Sequence, residues 1–113
     1  MKEIKAIIQP FMLQRVCEAL DAIPDLPGLT VSKVSGWGRT RAKGAVSSVE
    51  HAGHRFVEKT KLEIVVDDAK VQQVIATIVA AARTGNVGDG KIFVYDVNDA
   101  VRIRTGDSGE GAV

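Results

Sequence analysis

The sequence predicts an α+β fold in which two β-α-β halves share one sheet and both helices cover the same face. Three observations carry that prediction. Runs at 2–9, 29–35, 56–66 and 91–97 alternate or are continuously apolar, as strands are. Two stretches, one after Pro10 and one after Asp68, repeat apolar residues every three to four positions, as helices do. Their order is strand, helix, strand, long loop, strand, helix, strand, which is the ferredoxin-like split βαβ arrangement. At 113 residues the chain reads as one domain, 1–113, with room for a single two-layer core.

Each element has a local reason. Lys2 to Gln9 alternates and then becomes apolar at Ile7-Ile8, the pattern of a central strand. Pro10 suits the first position of a helix. Leu13, Val16, Cys17, Leu20 and Ile23 then form the stripe of that helix. Cys17 falls inside the stripe and reads as a small core residue. Pro24-Asp25-Leu26-Pro27-Gly28 breaks the helix, and Leu29 to Ser35 alternates as a strand running into Gly36-Trp37-Gly38.

From about Arg39 to Arg55 periodicity is lost. Four cations (Arg39, Arg41, Lys43, Arg55) stand there against one acid, Glu50, together with both histidines of the chain. A loop of about 17 residues in so small a domain is unusual and points to function or disorder. Phe56 to Val66 resumes as a strand, with Phe56, Leu62, Ile64 and Val66 on one face. Asp67-Asp68 is expected to cap the second helix, whose apolar face is Val71, Val74, Ile75, Ile78, Val79 and Ala82. Gly85 is expected to close it as a C′ glycine. Lys91 to Val97 is a strand, and Asn98-Asp99 a turn. Val101 to Arg104 is read as extended, and about 105–113 as a glycine-rich mobile tail. Apolar residues on both faces of some strands (Ile7-Ile8, Ile64-Val65-Val66) suggest that the face without helices is covered by copies of the chain.

Composition excludes several function classes. The net charge of +1 argues against a general nucleic-acid or membrane coat. The basic loop has no aromatic residue among its charges before Phe56, so base stacking is absent. With one cysteine, no intramolecular disulfide can form. No apolar run approaches the roughly 18 residues of a spanning helix, and no signal-peptide core is seen; the chain reads as cytoplasmic, without membrane insertion. No Ser-His-Asp or Cys-His nucleophile set is recognisable.

The stretch that carries chemistry is Gly85-Asn86-Val87-Gly88-Asp89-Gly90-Lys91. Three glycines offer backbone N–H groups without side-chain obstruction, and a lysine sits beside them, an arrangement that can cradle a polyphosphate. It nearly spells a P-loop but fails twice: Ile92 stands where Ser or Thr would reach Mg²⁺, and a strand follows where a helix should open. In extended structure Arg102 and Arg104 would project to one side, adding two guanidiniums that fit an anion. The bland alternative is a helix-to-strand turn with a solvated lysine and two exposed arginines. Glu50-His51-Ala52-Gly53-His54 places two imidazoles three apart, which could share Zn, Cu or Ni, or could be a solvated loop.

Over nearly its whole length the chain resembles the PII nitrogen-regulatory signal-transduction family. The resemblance rests on Ile7-Ile8-Gln9-Pro10-Phe11, on Gly36-Trp37-Gly38-Arg39, on Ala81 through Val94, and on Val101-Arg102-Ile103-Arg104-Thr105-Gly106. It implies a homotrimer that binds ATP or ADP between neighbouring subunits, with Mg²⁺ accompanying ATP. Gly88, Asp89, Gly90 and Lys91, with Val87 beside them, would surround the phosphates, joined by Arg102, Arg104 and Arg39. Ile8, Thr30, Gly36, Glu63 and Val65 would lie around adenine and ribose, near Trp37 and Gly38. The loop at about 39–55 would be the family's T-loop, whose shape follows the bound nucleotide and is presented to a membrane transporter or a regulated enzyme.

Departures from the family pattern bear on the second effector. Thr40 stands where a glutamine helps hold Mg²⁺ and 2-oxoglutarate, and it is too short to reproduce that reach. Lys59, matching the lysine that pairs with the 2-oxoglutarate carboxylate, is kept. Ala52 stands at the uridylylated tyrosine and Glu50 at the phosphorylated serine, so neither covalent switch can operate as in those relatives. The expectation is a non-catalytic adenine-nucleotide sensor without the usual 2-oxoglutarate and uridylylation inputs. Alternatives are a metal- or bicarbonate-responsive regulator linked to metal efflux or inorganic carbon transport, or slow ATP hydrolysis in the same cleft.

Overall fold

The computed structural model describes residues 1–37, 48–51 and 54–113, with side chains described for 1–37 and 55–113. Seven main elements follow in order: β1 (Lys2–Ile8), α1 (Leu13–Asp21), β2 (Thr30–Gly36), β3 (Ser48–His51), β4 (His54–Val66), α2 (Val71–Ala82) and β5 (Gly90–Asp96). The sheet runs β2-β4-β1-β5, all antiparallel, with β3 paired to the start of β4. This is the predicted ferredoxin-like α+β arrangement.

Alternation along the strands decides which face meets the helices. Ile4, Ala6 and Ile8 of β1 and Leu62, Ile64 and Val66 of β4 are buried. They meet Val16 and Leu20 of α1 and Val71, Val74, Ile78, Ala81 and Ala82 of α2. Each fully buried Ile or Leu contributes about 1.5–3 kcal/mol relative to exposure. Thr60 is the one polar residue buried among the described ones. The opposite face carries Glu3, Lys5 and Ile7 of β1, Lys59, Lys61, Glu63 and Val65 of β4, and Lys91, Phe93 and Tyr95 of β5. Charged residues stand among the apolar ones on this face. Lys61 pairs with Glu63 at 3.4 Å, and the Lys5 ammonium lies 4.8 Å from the centre of the Tyr95 ring.

Several local expectations change. Pro10 begins a single 3-10 turn, Pro10–Met12, and α1 starts only at Leu13. Asp67 sits at the start of a second such turn, Asp68–Lys70, but its side chain caps nothing. The backbone carbonyl does the work instead, accepting from the Lys70 N–H at 2.9 Å. Val79 is 44% exposed rather than part of the buried face, because β5 lies at the sheet edge, where α2 does not cover it fully. α2 ends at Ala82 with extended backbone at Arg83, so Gly85 is not its C′ residue. Gly85 has φ 89° and belongs to the following turn.

Regular structure also begins earlier than Phe56: Ser48↔Val57 through His51↔His54 form an antiparallel ladder. Hydrophobic periodicity misses this ladder because β3 is only four residues long, too short for a period to show. The tail is tied down rather than loose. Val101 bridges Ser108, the Gly109 N–H donates to the Ala100 carbonyl at 3.0 Å, and a 3-10 turn spans Glu110–Ala112. Glycine content there serves turns, with φ of 76° at Gly106 and 80° at Gly109.

Among the described glycines, Gly90 has the closest approach to its neighbours. A β-carbon there would lie 1.7 Å from the Ile7 carbonyl oxygen, with φ at 110°. The obstacle is backbone and cannot move aside. Gly90→Ala is therefore expected to cost at least about 3 kcal/mol in urea denaturation. Gly28→Ala, where nothing lies within 4 Å, should stay within about 0.5 kcal/mol of wild type. Equal losses in the two variants would show that the close approach is not limiting.

Candidate functional site

The turn between α2 and β5 is built by one carboxylate. Asp89 accepts the backbone N–H groups of Thr84 and Gly85, each at 2.8 Å, and the Thr84 hydroxyl. The Thr84 oxygen in turn accepts the Asn86 N–H at 3.1 Å. These bonds, the Thr84 hydroxyl first, hold the Asp89 carboxyl below its ordinary range, and the Arg83 charge adds to them. The geometry identifies Asp89 as the residue that shapes the turn, and it uses the N–H groups of Thr84 and Gly85 itself. Gly88 and Gly90 have φ of 98° and 110°, a region that only glycine enters freely. Lys91 follows as the second residue of β5.

Two groups of predicted residues are brought together, at opposite ends of the sheet. Ile8, Asp89, Gly90 and Lys91 line one hollow of about 250 Å³ between α2 and β5, with Ile7, Ile75 and Arg83. Thr30, Glu63 and Val65 line a second, of about 400 Å³, with Glu3, Ala100 and Val113. Thr30 and Gly36 are the two ends of β2, which puts them about 20 Å apart at the rise of an extended strand. Gly36 lies at the glycine-turn end, where the Lys59 stem passes it. Trp37 is half exposed, and Val87 is exposed beside Gly88.

Lys59 has a partner within the chain. Its ammonium donates to the Gly88 carbonyl at 2.7 Å in a part-buried setting. Burial pulls its pKa below the ordinary lysine value, and the nearby Asp89 charge opposes that shift. Spacing alone could not find this contact, since 29 residues separate the two.

The arginine geometry differs from expectation. Ile103–Thr105 form a turn, closed by the Gly106 N–H on the Arg102 carbonyl at 2.7 Å and by the Arg102 N–H on the Asp107 carbonyl at 2.8 Å. The same-side rule for i and i+2 holds in extended chain and fails here. Arg102 and Arg104 are both exposed, and the Arg102 guanidinium lies 3.4 Å from the Gly111 carbonyl. Gly38, Arg39 and Thr40 lie outside the described residues, as do the side chains of His51 and His54. Their backbones are direct cross-strand partners. Sequence reasoning missed Thr84 and Arg83; a hydroxyl at the helix end followed by Asp-Gly was the available sign of a side-chain-braced turn.

A family model described as "Nitrogen regulatory protein P-II" matches residues 1–107. Nitrogen regulatory protein P-II of Rhodospirillum rubrum is 46% identical over 118 residues, covering all of both chains. Nitrogen regulatory protein P-II 2 of Methanothermobacter thermautotrophicus is 49% identical over 115 residues, covering all of this chain and 97% of that one. Among solved structures, Arabidopsis thaliana PII bound to citrate superposes with a TM-score of 0.80 at 43% identity. That match covers 99% of this chain and 91% of the other. The chain belongs to the PII nitrogen regulatory protein family, a family of signal-transduction regulators rather than enzymes by name. Among the described residues, no helix is long and apolar enough to cross a membrane.

The Asp89 brace carries a pH prediction. A carboxylate whose folded pKa is depressed contributes stability that is fully present above its unfolded value, near 3.8. That contribution is lost as pH falls below 3.8 through the folded value. The Gly85 amide resonance should hold its position down to about pH 4 and move below it. In Asp89→Asn it should already be displaced at pH 7. An unchanged Gly85 amide in that variant would contradict the brace.

Proposed function

We propose that this protein is an adenine-nucleotide sensor of the PII type, working in the cytoplasm as a homotrimer. ATP or ADP sits between subunits, and the T-loop at about 39–55 carries the signal to a membrane transporter or a regulated enzyme. The observation that carries this reading is the glycine turn, already set with positive φ at Gly85, Gly88 and Gly90 and braced by Asp89. A preset turn presents N–H groups to an anion without an ordering cost at binding. Lys91 supplies fixed positive charge beside it, and Ile8 an apolar wall.

The residues present fit a nucleotide's phosphates; Gly88, Gly90 and Lys91 would hold them, and Mg²⁺ would supply charge neutralisation there. The distance between the two residue groups supports a site shared by subunits. Thr30, Glu63 and Val65 lie at the far end of the same sheet, so a neighbour's copy of that end is what could meet this chain's turn over adenine and ribose. Arg102 and Arg104, exposed in one chain, are available to a ligand in that cleft. The bound nucleotide can bias the T-loop only through different affinities for its alternative shapes. Lys59 is already engaged by Gly88, and Thr40 is short, which argues against a 2-oxoglutarate site of the usual kind.

Isothermal titration should show ATP and ADP binding to the wild-type chain, and Lys91→Ala should weaken ATP by about tenfold or more. Absence of binding at millimolar nucleotide sinks the reading.

A second reading, a metal-responsive regulator, is favoured by one observation. His51 and His54 are register partners in the β3–β4 backbone ladder. Two histidines at paired backbone positions could share Zn, Cu or Ni. Titration of Ni²⁺ or Zn²⁺ should then show affinity falling by about tenfold or more in a His51→Ala, His54→Ala double variant. Unaltered affinity discards this reading.

A further inference from the structure

The glycine turn is held at three places, and each holds something different. Asp89 fixes the start, through the N–H groups of Thr84 and Gly85. The Ile8↔Gly90 register fixes the end. The middle, the peptide joining Gly88 to Asp89, is held by a residue from another strand. Lys59 lies on β4 opposite Val34, on the face away from the helices. Its stem passes Gly36, and its ammonium reaches the Gly88 carbonyl at 2.7 Å.

In a trans peptide the carbonyl and the following N–H point in opposite directions. The described residues contain no cis peptide. Fixing the Gly88 oxygen on Lys59 therefore aims the Asp89 N–H away from Lys59. Without that anchor this peptide is the easiest part of the turn to rotate. Gly88, at φ 98°, can occupy either half of the Ramachandran map at little cost.

We propose that Lys59 is a positioning residue of the phosphate site: by holding the Gly88 carbonyl, it presents the Asp89 N–H outward to the ligand's phosphate oxygens. The proposal rests on the adenine-nucleotide reading above and adds to it a residue that acts through the turn. It gives the kept lysine a role within the subunit that needs no carboxylate effector. It also makes the orientation of one donor depend on β4, the strand that begins at the β3–β4 hairpin.

Two measurements on the full chain test it, with Lys59→Met and Lys59→Arg beside wild type. Without nucleotide, ¹⁵N relaxation at the Asp89 amide should be quiet in wild type. In Lys59→Met it should show new microsecond-to-millisecond exchange as the peptide flips, while amides of α2 stay unchanged. In titrations, Lys59→Met should bind ATP about tenfold more weakly than wild type, with adenosine affinity unchanged. Lys59→Arg, which keeps a cationic donor, should recover most of the ATP affinity and a quiet Asp89 amide.

A quiet Asp89 amide in Lys59→Met overturns the positioning role, even if ATP weakens, since the lysine would then act on the phosphate directly. Equal loss of ATP and adenosine also overturns it, as would unchanged ATP affinity. Failure of the wild-type chain to bind ATP removes the nucleotide reading itself and the phosphate role with it. The relaxation result separates that failure from a failure of the Lys59 contact.

Discussion

Gly90 and Ile7 approach so closely that no β-carbon fits between them, and both the edge of the sheet and the glycine turn depend on that contact. Gly90 is the last residue of the turn and the first of β5. Its position against β1 therefore fixes where the ladder starts. From it the register runs Ile8↔Gly90 to Lys2↔Asp96 without a break. A slip of one residue would move Ile92 out of the core side and bring Phe93 into it. The same contact sets the height at which Lys91 leaves the strand. Backbone geometry at one glycine thus places a charge that the binding proposal needs.

The two faces of the sheet do different jobs. The helix side is apolar and well packed, and it holds the subunit together. The other side mixes Lys5, Lys59, Lys61, Glu63 and Lys91 with Ile7, Val65, Phe93 and Tyr95. Partly exposed ion pairs such as Lys61–Glu63 add little stability. Packed against copies of itself, such a face would be selective, because each charge would need a partner while the aromatic residues supply area. The proposed trimer is consistent with that mixture of charged and apolar residues.

Lys59 links features that lie far apart in the chain. It sits on β4, downstream of the β3–β4 hairpin, and holds the centre of a turn 29 residues later. Asp89 braces that turn from within, and its charge offsets part of the cost of burying the lysine. Neither residue is a ligand by virtue of type alone. Each fixes the orientation of backbone groups in the turn.

The sequence by itself determined the fold class, the four principal strands, both helices and the glycine turn, because burial of one face imprints a period on every element that packs there. Ile4, Ala6 and Ile8, or Val71, Val74 and Ile78, could hardly be arranged otherwise. Its motifs also sufficed to place the chain in the PII family. The β3–β4 ladder left no period, since β3 is four residues long, and glycine content concealed the bonded tail. Only the tertiary structure decided that Arg102 opens a turn with Arg104 at its middle, that Asp89 takes the Thr84 and Gly85 N–H groups, and that Lys59 meets Gly88. Those contacts join residues through hydrogen bonds between distant or tightly turned segments, and such bonds leave no periodic trace in the order of residues.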